Sequence, residues 1–245
     1  MPDGAVYAVK TGGPGFDIEA WMLGVLAEHL PVPRVIHATP DLLIIEHLQS
    51  GGALNAPAQG HAADLLAVLH AVTSDEFGLE RDTLIGGLVQ PNPRTPSWLE
   101  IFRDQRLLFM AGEALGARGL RSATMARIEK LASRLGEWID GAGAPSLIHG
   151  DMWSGNILVS CGRITGFVDP AIYHGDAEIE IAFATLFGTF GDAFFVRYNE
   201  LRPIRTGFFE ARRDLYNLYP LLVHARLFGG GYGMRVDSVL DKLGV

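Results

Sequence analysis

The feature that most constrains this chain is a string near its centre, LIHGDMWSGNILV, followed closely by ITGFVDP. It contains His-Gly-Asp, then Asn156 five residues after Asp151, then Asp169 thirteen residues after Asn156. Residues 156–160 and 163–169 are β-rich runs separated by Cys-Gly, a pattern that predicts a hairpin. Asn156 and Asp169 then stand at opposite ends of this hairpin, where both can face one point.

These residue types in this order indicate phosphoryl transfer. Mg²⁺ prefers oxygen ligands and is usually held by one or two protein groups together with phosphates. Asn156 and Asp169 are therefore candidate metal ligands, and Asp151 is placed to accept or orient the proton of an attacking hydroxyl. We expect His149 to brace the loop. The alternative, an Asp and an Asn that merely cap turns, is common for an isolated Asp-x4-Asn, but the complete pattern favours the chemical interpretation.

A lysine and a glutamate near the start support that interpretation. Lys10 ends a predicted strand (4–10), and Glu19 lies near the start of the following predicted helix (16–30). Kinase-like folds use such a pair to direct an ammonium at nucleotide phosphates. Alone, a Lys/Glu pair is more often a solvated pair of surface charges. Together with the downstream pattern, it predicts an ATP site.

The segment IIEHL (44–48) ends the predicted sheet just before the helical part. In a two-lobed kinase, this position carries the backbone groups that meet the adenine ring. Glu46 and Leu48 are the candidates for those groups. An ordinary edge strand is the alternative, and nothing in the residues alone excludes it.

The chain divides into two parts, which predicts an α+β class. Residues 1–50 predict about three strands and one helix, including a hairpin around Thr-Pro-Asp. After the glycine-containing GGALNAPAQG, residues 51–245 read as mainly helical. Within them, residues 77–96 are too rich in Gly and Pro for us to expect regular structure, and the chain beyond Pro170 is predicted to be helical.

Composition narrows the function classes. The formal charge is −8, with no run of basic residues, which argues against nucleic acid as a partner and against a polybasic membrane anchor. No apolar stretch reaches the ~20 residues of a spanning helix, and the start does not resemble a secretory signal. The single Cys161 forms no internal disulfide, so we expect a reducing cytoplasmic location.

The sequence resembles the fructosamine kinase / ketosamine 3-kinase family, a branch of the protein-kinase-like and aminoglycoside-phosphotransferase-like superfamily. The strings that carry the resemblance are LAVLHAV, IGGLVQPNP, PSLIHGDMWSGNILV, FVDPAIYHGDAEIEIAFATLFGTF and GFFEARRDLYNLYPLLVHARLFGGGY. They extend from about Tyr7 to Tyr232. Trp153, inside the His-Gly-Asp string, distinguishes this family from the wider phosphotransferases.

The resemblance implies a bilobal protein-kinase-like fold, with a reduced N-terminal sheet lobe and a mainly helical C-terminal lobe. It implies an ATP- and Mg²⁺-dependent kinase that phosphorylates the 3-hydroxyl of a ketosamine, either ribulosamine or fructosamine, free or bound to protein. The product is unstable, so the sugar is lost and the amine is restored, which amounts to deglycation. On the acceptor side, the resemblance implies that Asp151 is the catalytic base and that Trp153 lies against the sugar. On the nucleotide side, it implies that Asn156 and Asp169 are Mg²⁺ ligands and that Lys10, held by Glu19, binds phosphate. It also implies that Glu46 and Leu48 form the hinge that faces adenine.

Two features of the chain depart from the family pattern. Family members normally carry two strands and a glycine-containing loop before the lysine strand, whereas nine residues precede Lys10 here. We therefore expect a more open ATP site and an exposed sheet edge, in a monomer or a homodimer. Glu180 stands where relatives usually have Asp, in a helix that braces the catalytic loop.

Two other functions compete with ketosamine phosphorylation. One is a different small-molecule kinase of the same superfamily, acting on an aminoglycoside, choline or a similar alcohol, since an acidic chain suits a cationic acceptor. The other is a catalytically weak nucleotide-binding pseudokinase. The presence of Asp151, Asn156 and Asp169 together argues against the second.

Overall fold

A three-stranded sheet and one helix form the N-terminal part of the protein in the computed structural model, which describes Gly4 and residues 6–245. The elements in chain order are β1 (Tyr7–Thr11), α1 (Phe16–Leu26), β2 (Val35–Thr39) and β3 (Leu42–Glu46). The sheet is antiparallel in the order β1-β3-β2, and the predicted Thr-Pro-Asp turn joins β2 to β3. We call this part the sheet lobe.

Helix α1 packs on both the sheet and the rest of the protein. Leu23 lies with Leu43 and Ile45 in a small apolar core under the sheet. Met22 and Leu26 belong to the large core of the helical part. Because an α-helix has 3.6 residues per turn, neighbouring positions face different directions. One short helix therefore holds the sheet lobe against the larger part.

The larger part, which we call the helical lobe, is mainly α-helical with short strands around one loop. Its elements in chain order are α2 (Ala56–Leu69), β4 (Thr83–Ile85), β5 (Leu88–Gln90), α3 (Trp98–Glu100), a π-helical stretch (Ile101–Leu108), α4 (Phe109–Gly116), α5 (Ser122–Ala132), α6 (Gly136–Ile139), β6 (Ser146–Ile148), a 3₁₀ helix (Ser154–Asn156), β7 (Ile157–Ser160), β8 (Arg163–Phe167), β9 (Tyr173–Gly175), α7 (Ala177–Leu186), α8 (Asp192–Leu201), a second π-helical stretch (Phe208–Arg212), α9 (Arg213–Tyr216), α10 (Leu218–Phe228) and α11 (Tyr232–Lys242). The predicted β7–β8 hairpin is confirmed.

The β4–β5 hairpin overturns the expectation that residues 77–96 lack regular structure. Gly86 and Gly87 have φ of 55° and 82°, the left-handed values that both central residues of a two-residue hairpin turn adopt. The buried Gln90 amide donates to Thr83 Oγ1 at 2.8 Å, which ties the two strands together. The richness in glycine therefore marks a tight turn between strands.

Strand β9 corrects the expectation that the chain is helical from Pro170 onward. It pairs with β6 in an antiparallel manner, and helix α7 begins only after it. The carboxylate of Asp176 caps this helix by accepting the Glu178 N–H at 3.2 Å. The β6–β9 pair and the β7–β8 hairpin together frame the loop of residues 149–156, which we call the catalytic loop.

The predicted α+β class, with a small sheet lobe and a larger helical lobe, is confirmed. The division of the chain at residue 50 remains a proposal. Among the described residues, no helix combines the length and the apolar character needed to cross a bilayer.

Candidate active site

A cavity of about 340 Å³ lies where the catalytic loop faces the sheet lobe. The predicted site residues on its wall are Lys10, Glu19, Asp151, Trp153, Asn156 and Asp169. They come from β1, α1, the catalytic loop and the segment after β8. The structure thus brings together residues from both lobes around one space.

Asp151 and Asn156 are joined by hydrogen bonds across the catalytic loop. The Asn156 amide nitrogen donates to the Asp151 backbone oxygen at 2.9 Å and to its Oδ2 at 3.0 Å. Because both neighbours are acceptors, this atom must be the NH₂ group, and the other amide atom is the oxygen. The Asn156 oxygen is therefore left to face a ligand, while the Asp151 carboxylate is held in one orientation.

Glu180 on α7 holds the backbone of the catalytic loop. Its carboxylate accepts the N–H groups of Gly150 at 2.6 Å and His149 at 3.2 Å. A ring nitrogen of His70 also pairs with it at 2.8 Å, and these groups are buried. A buried carboxylate needs such partners to offset its lost hydration. The Glu at this position therefore makes the brace that the resemblance implies for an Asp.

Gly150 and His149 leave the loop little freedom. Gly150 has φ of +86°, and a Cβ there would lie 2.1 Å from the Ala171 backbone oxygen, so other residues do not fit. The buried His149 ring accepts the Asp151 N–H at 3.3 Å, and burial lowers its pKa. His149 is thus held neutral, in keeping with the expectation that it braces the loop.

Lys10 connects the sheet lobe to the catalytic centre. Its ammonium pairs with Glu19 Oε1 at 2.6 Å, as predicted, and with Asp169 Oδ1. Burial works to lower the pKa of Lys10, but the two carboxylates together raise it above its ordinary value. Burial also raises the pKa of Glu19, against the opposing effect of Lys10. The lysine therefore stays charged inside the cavity.

Asp151 has a strongly perturbed acidity. Burial is the largest cause, and the Asp169 and Glu180 charges add to it, so the pKa of Asp151 rises to about 7 despite the hydrogen bond from Asn156. A general base is most effective when its pKa lies near the working pH. The site thus contains a carboxylate suited to accept a proton from an alcohol near neutrality.

The oxygen groups at the end of the β7–β8 hairpin fit a magnesium ion that also binds phosphates. Val168 donates its N–H to the Asn156 backbone oxygen at 3.0 Å, which sets Asn156 beside the segment that carries Asp169. In the described part of the chain, no three His, Cys, Asp or Glu residues cluster as a metal site. An amide and a carboxylate are nevertheless sufficient protein ligands for Mg²⁺ when phosphates complete its coordination.

Trp153 lies on the open side of the cavity. Its indole packs over Gly155, where a Cβ would lie 2.3 Å from the ring, and the residue as a whole is 41% exposed. Its other neighbour is Phe187 on the chain after α7, with ring centroids 6.5 Å apart. An accessible indole fixed beside the proposed base is a surface on which an apolar sugar face can pack.

Glu46 and Leu48 do not line the described cavity. Glu46 ends β3, and its N–H donates to the Arg34 backbone oxygen at 2.9 Å. Leu48 follows the sheet and packs against Gly166 of β8. They lie where the sheet lobe passes into the helical lobe, and their role toward adenine remains a proposal.

The tip of the β4–β5 hairpin is a part of the site that sequence reasoning missed. Leu84, Gly86 and Gly87 line the cavity, and Leu84 reaches Gly15 in the turn between β1 and α1. The signal was present, because Gly-Gly between the runs Leu-Ile and Leu-Val is a hairpin pattern. No comparable sequence pattern identifies His70 and Asp176, which position α7 and the catalytic loop.

Comparisons with known proteins agree with this geometry. A family model described as fructosamine kinase matches residues 8–244. A probable ketoamine kinase of Synechocystis is 35% identical over 233 residues, which cover 93% of this chain and 78% of the relative.

Solved structures give the same result for the fold. The crystal structure of a candidate fructosamine-3-kinase from Thermobifida fusca matches with a TM-score of 0.90 and 30% identity, over 99% of this chain and 87% of that one. A mutant aminoglycoside phosphotransferase, in complex with AMP-PNP and hygromycin B, matches with a TM-score of 0.64 at 18% identity, over 98% and 87% of the two chains. The latter likeness concerns the fold alone and confirms the kinase-like arrangement of the lobes.

Proposed function

The chain belongs to the fructosamine kinase family, and from that premise we propose that it transfers the γ-phosphoryl group of ATP to the 3-hydroxyl of a ketosamine. The observation that carries the proposal is the joint placement of Lys10, Asp151, Asn156 and Asp169 on one cavity, with Trp153 at its open side. The family supports phosphotransfer, and the names of the two relatives, ketoamine kinase and fructosamine-3-kinase, support the acceptor and the hydroxyl.

The acceptor side of the mechanism depends on Asp151. With Asn156 holding one carboxylate oxygen and Glu180 holding the loop backbone, the free oxygen of Asp151 can accept the proton of the sugar hydroxyl. That hydroxyl oxygen forms the new bond to the γ-phosphorus, and the bond to the β–γ bridging oxygen breaks to release ADP. Trp153 would hold the sugar in the required orientation.

The nucleotide side depends on Lys10 and the two proposed metal ligands. The ammonium of Lys10 would leave its contact with Asp169 for the phosphates while Glu19 keeps it in place. Asn156 and Asp169 would hold Mg²⁺, which, when bound, neutralises charge on the transferred phosphoryl group. Glu46 and Leu48 would present backbone groups to adenine, with the sheet lobe (1–50) covering the nucleotide.

Acceptor-dependent ATP consumption tests the proposal. We expect the purified protein, with Mg²⁺ and ATP, to release ADP only when a fructosyl or ribulosyl amine is present and to place phosphate on the 3-hydroxyl. The product should then lose its sugar and restore the free amine. Turnover only with aminoglycosides or choline would contradict the proposed acceptor, and ATP binding without turnover on any alcohol would identify a pseudokinase.

Trp153→Ala should weaken the acceptor side far more than the nucleotide side. Losing the indole removes the packing surface of the sugar, an aromatic contact worth about 1 kcal/mol or more, so we expect the acceptor KM to rise about tenfold. The KM for ATP should change less than twofold, and steady-state kinetics with each substrate varied in turn measures both. Phe209→Ala, at an exposed aromatic outside the cavity lining, is the matched control. Equal increases in both KM values would argue against the assignment of Trp153.

The partners and location follow from the same proposal. ATP and a ketosamine, either a small molecule or bound to protein, are the expected ligands, and we expect no nucleic-acid or membrane partner. We place the reaction in the cytoplasm, as a monomer or a homodimer.

A further inference from the structure

The β4–β5 hairpin belongs to the helical lobe, yet one of its faces turns toward the sheet lobe. Successive side chains of a strand point to opposite faces. Thr83 and Ile85 are 1% and 3% exposed, and Ile85 belongs to the large core of the helical lobe. Leu84, which lies between them in sequence, instead lines the catalytic cavity. The hairpin therefore has one face fixed in the helical lobe and one face directed at the sheet lobe.

The buried face of the hairpin is bonded to the segment that follows Asp169. The Gln90 amide donates to the Ala171 backbone oxygen at 2.9 Å, and the Thr83 hydroxyl donates to the Ile172 backbone oxygen at 3.2 Å. Both side chains are buried, so breaking either hydrogen bond would leave an unpaired polar group away from water. The hairpin is thus held rigidly to backbone groups two and three residues after a proposed metal ligand.

The other face of the hairpin packs on the sheet lobe where α1 begins. Gly15 precedes α1, and a Cβ at this position would lie 2.3 Å from Leu84 Cδ1, so the leucine methyl lies directly against the Gly15 backbone. The Gly15 backbone oxygen accepts the Glu19 N–H at 3.1 Å. Leu84 therefore contacts the residue that holds the backbone of Glu19, whose carboxylate pairs with Lys10 at 2.6 Å.

A second contact joins the start of the hairpin to α1. The guanidinium carbon of Arg81 lies 4.9 Å from the ring centroid of Trp21, and a cation over an indole face is attracted to it. Trp21 follows Gly15 by six residues, so the two contacts are separated along the helix. One contact would leave α1 free to pivot, whereas two separated contacts fix both its position and its direction.

The location of the Lys10 ammonium depends on both ends of this connection. Lys10 pairs with Glu19 of the sheet lobe and with Asp169 of the helical lobe. The hairpin packs on the helix that carries Glu19 and is bonded to the segment that carries Asp169. It therefore sets the separation of the two carboxylates by contacts that do not involve the lysine itself.

We propose that Leu84 is a positioning residue for phosphoryl transfer. By packing on Gly15, it keeps Glu19, and through Glu19 the Lys10 ammonium, at the distance from Asp169 that the nucleotide phosphates require. The inference rests on the role proposed for Lys10 toward ATP and does not depend on the identity of the acceptor. Because a misplacement of about 1 Å can cost about 10²-fold in rate, an apolar side chain that takes no part in the chemistry can have a large effect.

The test measures the Kd for AMP-PNP with Mg²⁺ by calorimetry, which needs no turnover. We expect Leu84→Ala to raise this Kd about tenfold or more, since the charge-assisted hydrogen bonds of a correctly placed ammonium contribute at least that much. Leu84→Met, which nearly conserves the volume, should restore most of the affinity. In a Lys10→Met background, Leu84→Ala should change the Kd by less than about twofold, because the charge that it positions is already absent.

Val89→Ala is the matched control. Val89 lies opposite Leu84 in the hairpin, is 54% exposed and does not line the cavity, so its truncation should leave the affinity unchanged. A loss below about threefold in Leu84→Ala, or the same loss in the Lys10→Met background, overturns this inference and leaves the proposed function intact. A wild type that binds AMP-PNP but phosphorylates no ketosamine overturns the proposed function, while the binding series still decides the role of Leu84. A wild type that does not bind AMP-PNP overturns both.

Discussion

Asp151→Asn is expected to lower kcat by about 10²–10⁴-fold, the usual contribution of a positioned general acid or base. The carboxamide has nearly the same size as the carboxylate, so the hydrogen bonds that hold the catalytic loop through Glu180 should persist. The KM for ATP should change little, because Asp151 faces the acceptor. Steady-state kinetics, with thermal unfolding as a check on the fold, measures the effect.

The exposed Asp75→Asn is the matched control, since it makes the same chemical change away from the cavity. A loss below tenfold in Asp151→Asn would show that another group takes the proton.

The pH profile gives a second readout of the same residue. Because the pKa of Asp151 is raised to about 7, the carboxylate form that accepts a proton dominates above that pH. The kcat/KM for the acceptor, measured at subsaturating ATP and Mg²⁺ so that it reports groups of the free enzyme, should therefore fall as the pH drops below about 7 and level off above it. A profile that falls only below about pH 4, the ordinary range of an aspartate, would contradict the raised pKa.

Asp169→Asn is the second change with a large expected effect, a loss of activity of about 10²-fold or more together with a higher Mg²⁺ requirement. It removes the one negative charge that the two proposed metal ligands carry, and it takes from Lys10 one of its two charged partners. Asp169 has φ of 54°, a left-handed conformation that Asn tolerates better than most residues, so this change tests the charge without straining the backbone. Titration of Mg²⁺ at fixed ATP measures the requirement.

Glu19→Gln tests the role of Lys10 separately from the role of the proposed metal ligands. It removes the negative charge of the other partner of Lys10, while both proposed metal ligands, Asn156 and Asp169, keep their own side chains. We expect a higher KM for ATP at an unchanged Mg²⁺ requirement. An unchanged Mg²⁺ dependence in Asp169→Asn itself would exclude that residue as a ligand.

The residues at the centre of the site could be predicted from the sequence because the patterns that identify them are local. Asp151, Asn156 and Asp169 lie within nineteen consecutive residues, 151–169. The geometry of the loop and the hairpin therefore largely determines how these three side chains come together. Sequence reasoning missed the β4–β5 hairpin because a stretch rich in glycine and proline predicts irregular structure, whereas here two glycines form the turn between the strands. It missed β9 because three residues are too few to show periodicity.

The sequence alone therefore determined the phosphotransfer chemistry and the residues of the catalytic loop, because short-range spacing and turn geometry position them. Only the tertiary structure decided which distant groups surround that loop. Lys10 meets Asp169 across 159 residues of chain, and Glu180 on α7 reaches back to Gly150. Arg235 reaches Phe187 from the last helix. Such contacts depend on how whole helices and the sheet pack against one another, so the sequence could place Lys10 and Glu180 near the catalytic loop but not say which atoms they meet.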